Sequence, residues 1–347
     1  MRITRNVLFF VALTISCFGY AVAQDSGSDS LYSKAFALTK VKDFKQAAEL
    51  YKQAAKTDPK NPRIFIDLSW CQLELKQFVE AVETARIAIV LNPDSYMAHN
   101  NLGYGLMQIG KLEDGIAELK TSIKLNSDFE KSRINLGGAL MRLGRDDEAI
   151  EQFKGLVELN PNAVPAHANL ASAYSRAGKS REAGLEYDIL IRLEPTKADH
   201  YSGRAASYMN IGEPEKAVTY FEQAVALDPE NIQDLKNLAV IQMAANKRDA
   251  AIATMKQVIL ARPKDAEAML FVGMGYHRTG RYELAIPYFK DSLALNPASA
   301  NAVMGLAMCH VSLGDRDTAR TYLPKLQELD ESLAKILLKA IGDEKKP

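Results

Sequence analysis

The chain has 347 residues, 47% hydrophobic and 25% charged, with 43 Lys and Arg against 43 Asp and Glu. This composition excludes a disordered, collagen-like or multi-span membrane chain. The neutral balance argues against nucleic acid, which is bound mainly through clustered positive charge, and three cysteines exclude a disulfide-rich scaffold.

The first element stands apart from the rest. Arg2 and Arg5 open the chain with no acid nearby, and nine of the eleven residues from Val7 to Cys17 are apolar. Ala21-Val22-Ala23 then precede Gln24 as a small-x-small site. This is the plan of a cleavable secretory signal peptide over residues 1–23, cut between Ala23 and Gln24, and the apolar run is shorter than the ~20 residues of a comfortable membrane span. The alternative is an uncleaved N-terminal anchor. Cleavage removes two positive charges and no negative ones, leaving a net charge of −2. No later stretch approaches 18 apolar residues in a row. The expectation is export to a periplasmic or secreted location, without a stable membrane span, and the signal's form suits a bacterial envelope.

From Ser28 onward the sequence repeats every 34 residues. Pro59, Pro93, Pro161, Pro195, Pro229, Pro263 and Pro297 share one register. Counting from Ser28, the twentieth position is Ala47, Ala81, Ala149, Ala183, Ala217, Ala251, Ala285 and Ala319, with Gly115 as the substitute. The eighth is always small, from Ala35 and Ser69 to Gly273 and Ala307, and the twenty-fourth is mostly large, as in Tyr51, Leu119, Phe153, Tyr187, Phe221, Met255, Phe289 and Leu323. Small residues let two helices approach, and the large one fills the groove between them. Glycine at the fifteenth position (Gly110, Gly144, Gly178, Gly212, Gly280 and Gly314) can adopt positive φ and end the first helix. Proline at the thirty-second cannot continue the second. Nine helix–turn–helix units are therefore expected at 28–61, 62–95, 96–129, 130–163, 164–197, 198–231, 232–265, 266–299 and 300–333. Beyond them, Leu333, Ile336, Leu337, Ala340 and Ile341 form a helical apolar stripe. It predicts a capping helix over 332–341, followed by a tail at 342–347. Cys71 and Cys309 share a register seven units apart, too far for a disulfide, and read as small buried hydrophobes.

These residues resemble the tetratricopeptide repeat family, a helical hairpin of 34 residues, over 28–333. The resemblance implies an all-α, right-handed superhelical solenoid whose first helices line a concave groove, mainly through positions 2, 5, 6, 9, 12 and 13. Position 6 carries Asn101, Asn135, Asn169 and, after a gap at Gly203, Asn237. This partial ladder is similar to the asparagine ladder in the repeat half of O-linked N-acetylglucosamine transferases, where amides grip a peptide backbone. An amide offers a donor and an acceptor to a peptide group; the same asparagines also read as ordinary solvated choices. Positions 9 and 12 add Phe36, Trp70 and Tyr104, then Met107, Met141, Met209, Met243, Met274 and Met308. These suit a groove for varied ligands, or else a core. The family's clamp for acidic C-terminal tails needs asparagine at position 9, which this chain lacks, so an acidic tail is disfavoured. Lys131, Arg142 and Arg176 make a modest basic zone, or simply a solvated face.

Little in this sequence lies outside the repeats, and no loop is long enough for a catalytic lid. His99 and His167 stand two units apart, and His277 and His310 have no Cys, Asp or Glu at a matching register, so all read as packed between helices rather than as metal ligands. No phosphate-binding glycine loop or nucleophile triad is present. The expectation is a non-enzymatic scaffold without cofactor that binds a protein or peptide segment. The alternative is an accessory subunit of a bacterial envelope assembly that binds a folded partner.

Overall fold

A computed structural model of the protein describes residues 27–342. The proposed signal segment, its cleavage site at Ala23 and Gln24, and residues 343–347 lie outside the described residues. Twenty α-helices and no strands occur among the described residues. The chain forms two compact units, and the division falls after Asn135.

The first unit holds α1 (Gly27–Lys40), α2 (Phe44–Thr57), α3 (Pro62–Glu74), α4 (Phe78–Leu91), α5 (Tyr96–Gln108), α6 (Leu112–Leu125) and the opening turns of α7 (Glu130–Arg142). The second continues α7 and adds α8 (Asp146–Leu159), α9 (Val164–Arg176), α10 (Ser180–Leu193), α11 (Ala198–Asn210), α12 (Pro214–Leu227), α13 (Ile232–Ala244), α14 (Arg248–Ala261), α15 (Ala266–Arg278), α16 (Tyr282–Leu295) and α17 (Ala300–Ser312). It ends with α18 (Arg316–Thr321), α19 (Leu323–Leu329) and α20 (Glu331–Ile341). Sequential helices pack as hairpins, and first helices also touch their counterparts, as α3 does α5 and α15 does α17.

The hairpin interior follows from residue size. The eight alanines at the twentieth position are all 0% exposed. Gly103 and Gly115 bring α5 and α6 so close that a Cβ on Gly115 would lie 2.7 Å from the Gly103 carbonyl oxygen. Tyr51, Leu119, Phe153, Phe221 and Phe289 are buried in the grooves these small residues leave, each contributing about 1.5–3 kcal/mol by the usual apolar burial. A Cβ on Gly137 would sit 2.3 Å from the Phe153 ring.

The turn after each first helix uses one conformation nine times. Every residue at the fifteenth position has φ between 59° and 86°, including Lys42, Lys76 and Asn246, which are not glycine. The hairpin geometry therefore imposes the left-handed turn, and a side chain there bears the strain.

The last hairpin departs from the pattern. Pro324 lacks the N–H that would continue the helix, and the chain breaks into α18 and α19 at Tyr322. Leu326 takes the fully buried place, and Leu323, expected there, is only half-buried. The capping helix α20 packs through Ala334, Leu337 and Ile341 on a cluster with Val303, Ala307, Ala319 and Leu326. Its buried face is rotated from the expected stripe: Ile336 is 53% exposed and Ala334 replaces it. Asp330 caps α20 by accepting from the backbone N–H groups of Ser332 and Leu333, and Gly342 ends it in the left-handed region.

Candidate functional site

In the first unit α3, α5 and the start of α7 lie side by side and enclose a cavity of about 440 Å³. Its wall includes Asp67, Trp70, Glu74, Asn101, Tyr104, Phe129, Lys131 and Asn135. Several stand at registers that face the same way on successive first helices, which is why residues 34 apart meet in one wall.

Trp70 is held on three sides. Its Nε1–H donates to Glu74 Oε1 at 3.1 Å, one turn along α3. Phe44 meets it edge-on with ring centroids 5.4 Å apart, and the Lys131 ammonium sits 5.7 Å from the centre of the ring. That last distance is within cation–π range. Phe129 is fixed by an edge-on contact with Tyr96 at 4.9 Å. Asp67 accepts a hydrogen bond from the Tyr32 hydroxyl at 2.7 Å. Burial holds the Asp67 carboxyl above the usual carboxylate range, with the Tyr32 bond and Arg63 opposing the shift.

The asparagines are more involved in the fold than their register suggests. Asn101 is 6% exposed, and its amide donates to the Ile66 carbonyl at 3.1 Å and to Ser69 Oγ at 3.0 Å. Both of its hydrogens are thereby engaged, so Asn101 lines the cavity without a donor to offer a ligand. Asn100 is the hub beside it: its Oδ1 accepts from Asn135 Nδ2 at 3.0 Å and from Ser132 Oγ at 3.2 Å. Its Nδ2 lies 3.4 Å from Asn101 Oδ1. Asn135 is half-buried and donates one hydrogen inward. Sequence reasoning passed over Asn100, whose only signal was a second amide adjacent to a ladder position.

The other expected residues are placed separately. Met107 lies in the core, 4% exposed, because Gly115 leaves room for it: its Cγ would be 3.0 Å from a Cβ there. In the second unit Asn169, Asn237 and Met141 are half-buried on their own helices, and Asn237 Oδ1 accepts from Gln233 Nε2 at 3.0 Å. The gap at Gly203 has a steric cause, since a Cβ would lie 2.2 Å from the Tyr187 ring. Met274 and Met308 line a smaller cavity of about 240 Å³ with His277, Phe289 and Met304. Arg176 is engaged by Asp146 at 3.1 Å and by the Met141 carbonyl at 2.8 Å.

His99 and His167 form a repeated brace. His99 Nδ1 lies 2.6 Å from Glu118 Oε2, and Nε2 lies 2.9 Å from the Pro93 carbonyl. His167 repeats this with Glu186 at 2.6 Å and Pro161 at 3.0 Å. A Glu nineteen residues after each His was the available signal. The thiols of Cys71 and Cys309 are buried, and desolvation pushes them up to about 12 and about 11, which keeps them protonated and unreactive. Among the described residues no group of three or more His, Cys, Asp or Glu could hold a metal ion. No helix among them is long and apolar enough to cross a membrane.

Comparison with known proteins follows the same pattern. Sequence profiles of the tetratricopeptide repeat match residues 38–99, 212–270 and 276–340, and 100–164 and 169–232. The solved structure of PilW, a type IV pilus biogenesis factor, aligns with a TM-score of 0.52 at 22% identity, covering 58% of this chain and 94% of that one. A tetratricopeptide repeat protein from Parabacteroides merdae ATCC 43184 covers 72% of this chain and 98% of its own, with TM-score 0.49 and 18% identity. YrrB, a repeat protein with an unusual peptide-binding site, covers 53% and 95%, with TM-score 0.47 and 18% identity. At such identities the likeness is one of fold. No curated protein matches the chain.

Proposed function

The chain belongs to the tetratricopeptide repeat family, and from that premise we propose that it is an exported, non-enzymatic scaffold that holds an extended segment of a partner protein in the cavity between α3, α5 and α7. The observation that carries this reading is the wall of that cavity. Three aromatic rings, Trp70, Tyr104 and Phe129, share 440 Å³ with the amide of Asn135. The rings accept an apolar side chain of the segment, and Asn135 meets its backbone with the hydrogen that Asn100 does not take. Asn169 and Asn237 provide comparable amides in the second unit. Export rests on the signal plan that ends at Ala21-Val22-Ala23.

A photo-crosslinkable peptide library bound to the mature chain tests the groove. Crosslinks are expected on residues 66–74, 97–104 and 129–135, and crosslinks confined to other helices would contradict it. Mass spectrometry of the exported protein tests the leader, with Gln24 expected at the N-terminus and an intact Met1 start favouring an anchor.

A second reading, an envelope subunit that binds a folded partner on its outer surface, is favoured by α4. Val79, Ile87 and Val90 are 57%, 46% and 81% exposed there, a face left open among the described residues. In that case extended peptides fail to bind, and charge at Ile87 and Val90 removes the partner.

A further inference from the structure

We infer that the segment held in the first unit's cavity carries a basic side chain, arginine in preference to lysine, next to its apolar anchor. This rests on the peptide-binding reading above and adds the chemistry of the ligand.

The charge on the wall is unequal. Asp67 and Glu74 contribute two carboxylates, and Lys131 is the single base in the lining. Carboxylates beside aromatic faces form a receptor for a cation, because the ring face and the acid both attract positive charge. The chain already illustrates this preference: its own Lys131 ammonium lies over Trp70, 5.7 Å from the ring centre. Lys131 is exposed, on a flexible stem that can swing into solvent, so it holds the place loosely. A guanidinium is planar, less strongly hydrated than an ammonium and able to stack on the indole while pairing with a carboxylate. It would displace Lys131 at little cost.

Asp67 adds a second reason. It is half-buried, with one oxygen engaged by Tyr32, and desolvation opposes its charge. Arg63 and Lys40 already favour the charge without cancelling the burial, and a ligand cation beside the carboxylate would add to them. Glu74 is exposed at the rim and is anchored through Oε1 to Trp70, which aligns acid and ring. An acidic ligand side chain would meet both carboxylates instead, in keeping with the missing acidic-tail clamp.

The test uses the mature chain from Gln24 and pools of acetylated, amidated random octapeptides that fix one internal position as Arg, Met or Glu. Calorimetry should show the Arg pool binding at least about tenfold tighter than the Glu pool. Glu74→Gln, an exposed and conservative change, should reduce that ratio several-fold, and Asp67→Asn should reduce it further. Lys131→Gln should tighten the Arg pool, because the competing cation is gone. If Lys131 instead serves to recruit acidic ligands, Lys131→Gln weakens binding and the Glu pool is preferred; either result overturns the inference. Equal binding of the three pools also overturns it but leaves the peptide-binding reading intact. Binding of no pool overturns that reading itself.

Discussion

The side-chain amide of Asn135 donates to Oδ1 of Asn100 at 3.0 Å, so a rung of the apparent ladder on α7 is tied to a buried amide on α5. From Asn100 the chain of contacts runs through Asn101 to Ile66 and Ser69 on α3. Three successive first helices are thus linked by side-chain amides in the cavity wall, and the bonds among Asn100, Asn101 and Asn135 hold that wall in place while leaving one Asn135 hydrogen outside the network.

Asn100→Ala should destabilise the first unit by about 1–3 kcal/mol, because it leaves Ser132 and Asn135 facing a void where each had a buried acceptor. Urea denaturation measures this directly. A loss below about 0.5 kcal/mol, the range of ordinary surface changes, would show that water replaces the amide without penalty.

The left-handed turns predict a gain. Lys76 has φ of 60° where most units have glycine. Lys76→Gly removes a backbone strain of about 1–2 kcal/mol but loosens the unfolded chain by about 0.5–1 kcal/mol, for a net stabilisation of up to about 1.5 kcal/mol. Gly144→Ala, at φ of 73°, should introduce the same strain, offset in part by a stiffer unfolded chain, for a net cost of up to about 1.5 kcal/mol. Thermal melts of the two variants should move in opposite directions.

At the gap in the ladder, Gly203→Ala should destabilise by about 1–3 kcal/mol through overpacking, since the new methyl would meet the Tyr187 ring at 2.2 Å. Tyr187→Leu in the same chain should recover part of the loss. Additive effects in the double-mutant cycle would contradict the contact.

Asp67 makes stability depend on pH with a definite sign. An acid whose pKa is raised by folding holds its proton more tightly folded than unfolded, so its contribution is greatest in acid and is lost as pH rises through the folded value. Burial raises Asp67 in this way. Relative to the parent, Asp67→Asn should therefore gain stability as pH is raised from about 4 to 7, when both are followed by chemical denaturation. A difference that stays constant across that range would contradict the shift.

Much of the fold was legible because its determinants are local and repeat in register. Ala47 and its equivalents, Gly110 and its equivalents, and Phe153 opposite Gly137 each do one steric task, and a 34-residue spacing exposes the task without coordinates. Trp70 and Tyr104 could be placed on a first-helix face for the same reason. Asn100 could not, since its importance comes from two neighbouring units presenting Ser132 and Asn135 to its carbonyl. Met107 went into the core because Gly115, across the hairpin, leaves a space that no pattern along one helix reveals. Ala334 rather than Ile336 is buried in α20, which packs on a cluster that includes Leu326 from the broken last hairpin, a partner surface that the apolar stripe of one helix does not reveal. Asn101 shows the limit most clearly: the family resemblance assigns its register to the groove, and its hydrogen bonds are those of a brace.

Trp70 is the chain's single tryptophan and lies in the wall of the proposed site, so its emission reports on the central claim without a label. Titrating the mature chain with peptides selected from a random library should give a saturable shift or quenching of that emission. The midpoint should match the affinity measured by calorimetry, and Tyr104→Ala should weaken both together. Peptides that bind by calorimetry yet leave Trp70 emission unchanged at saturation would place the binding surface elsewhere and contradict the account.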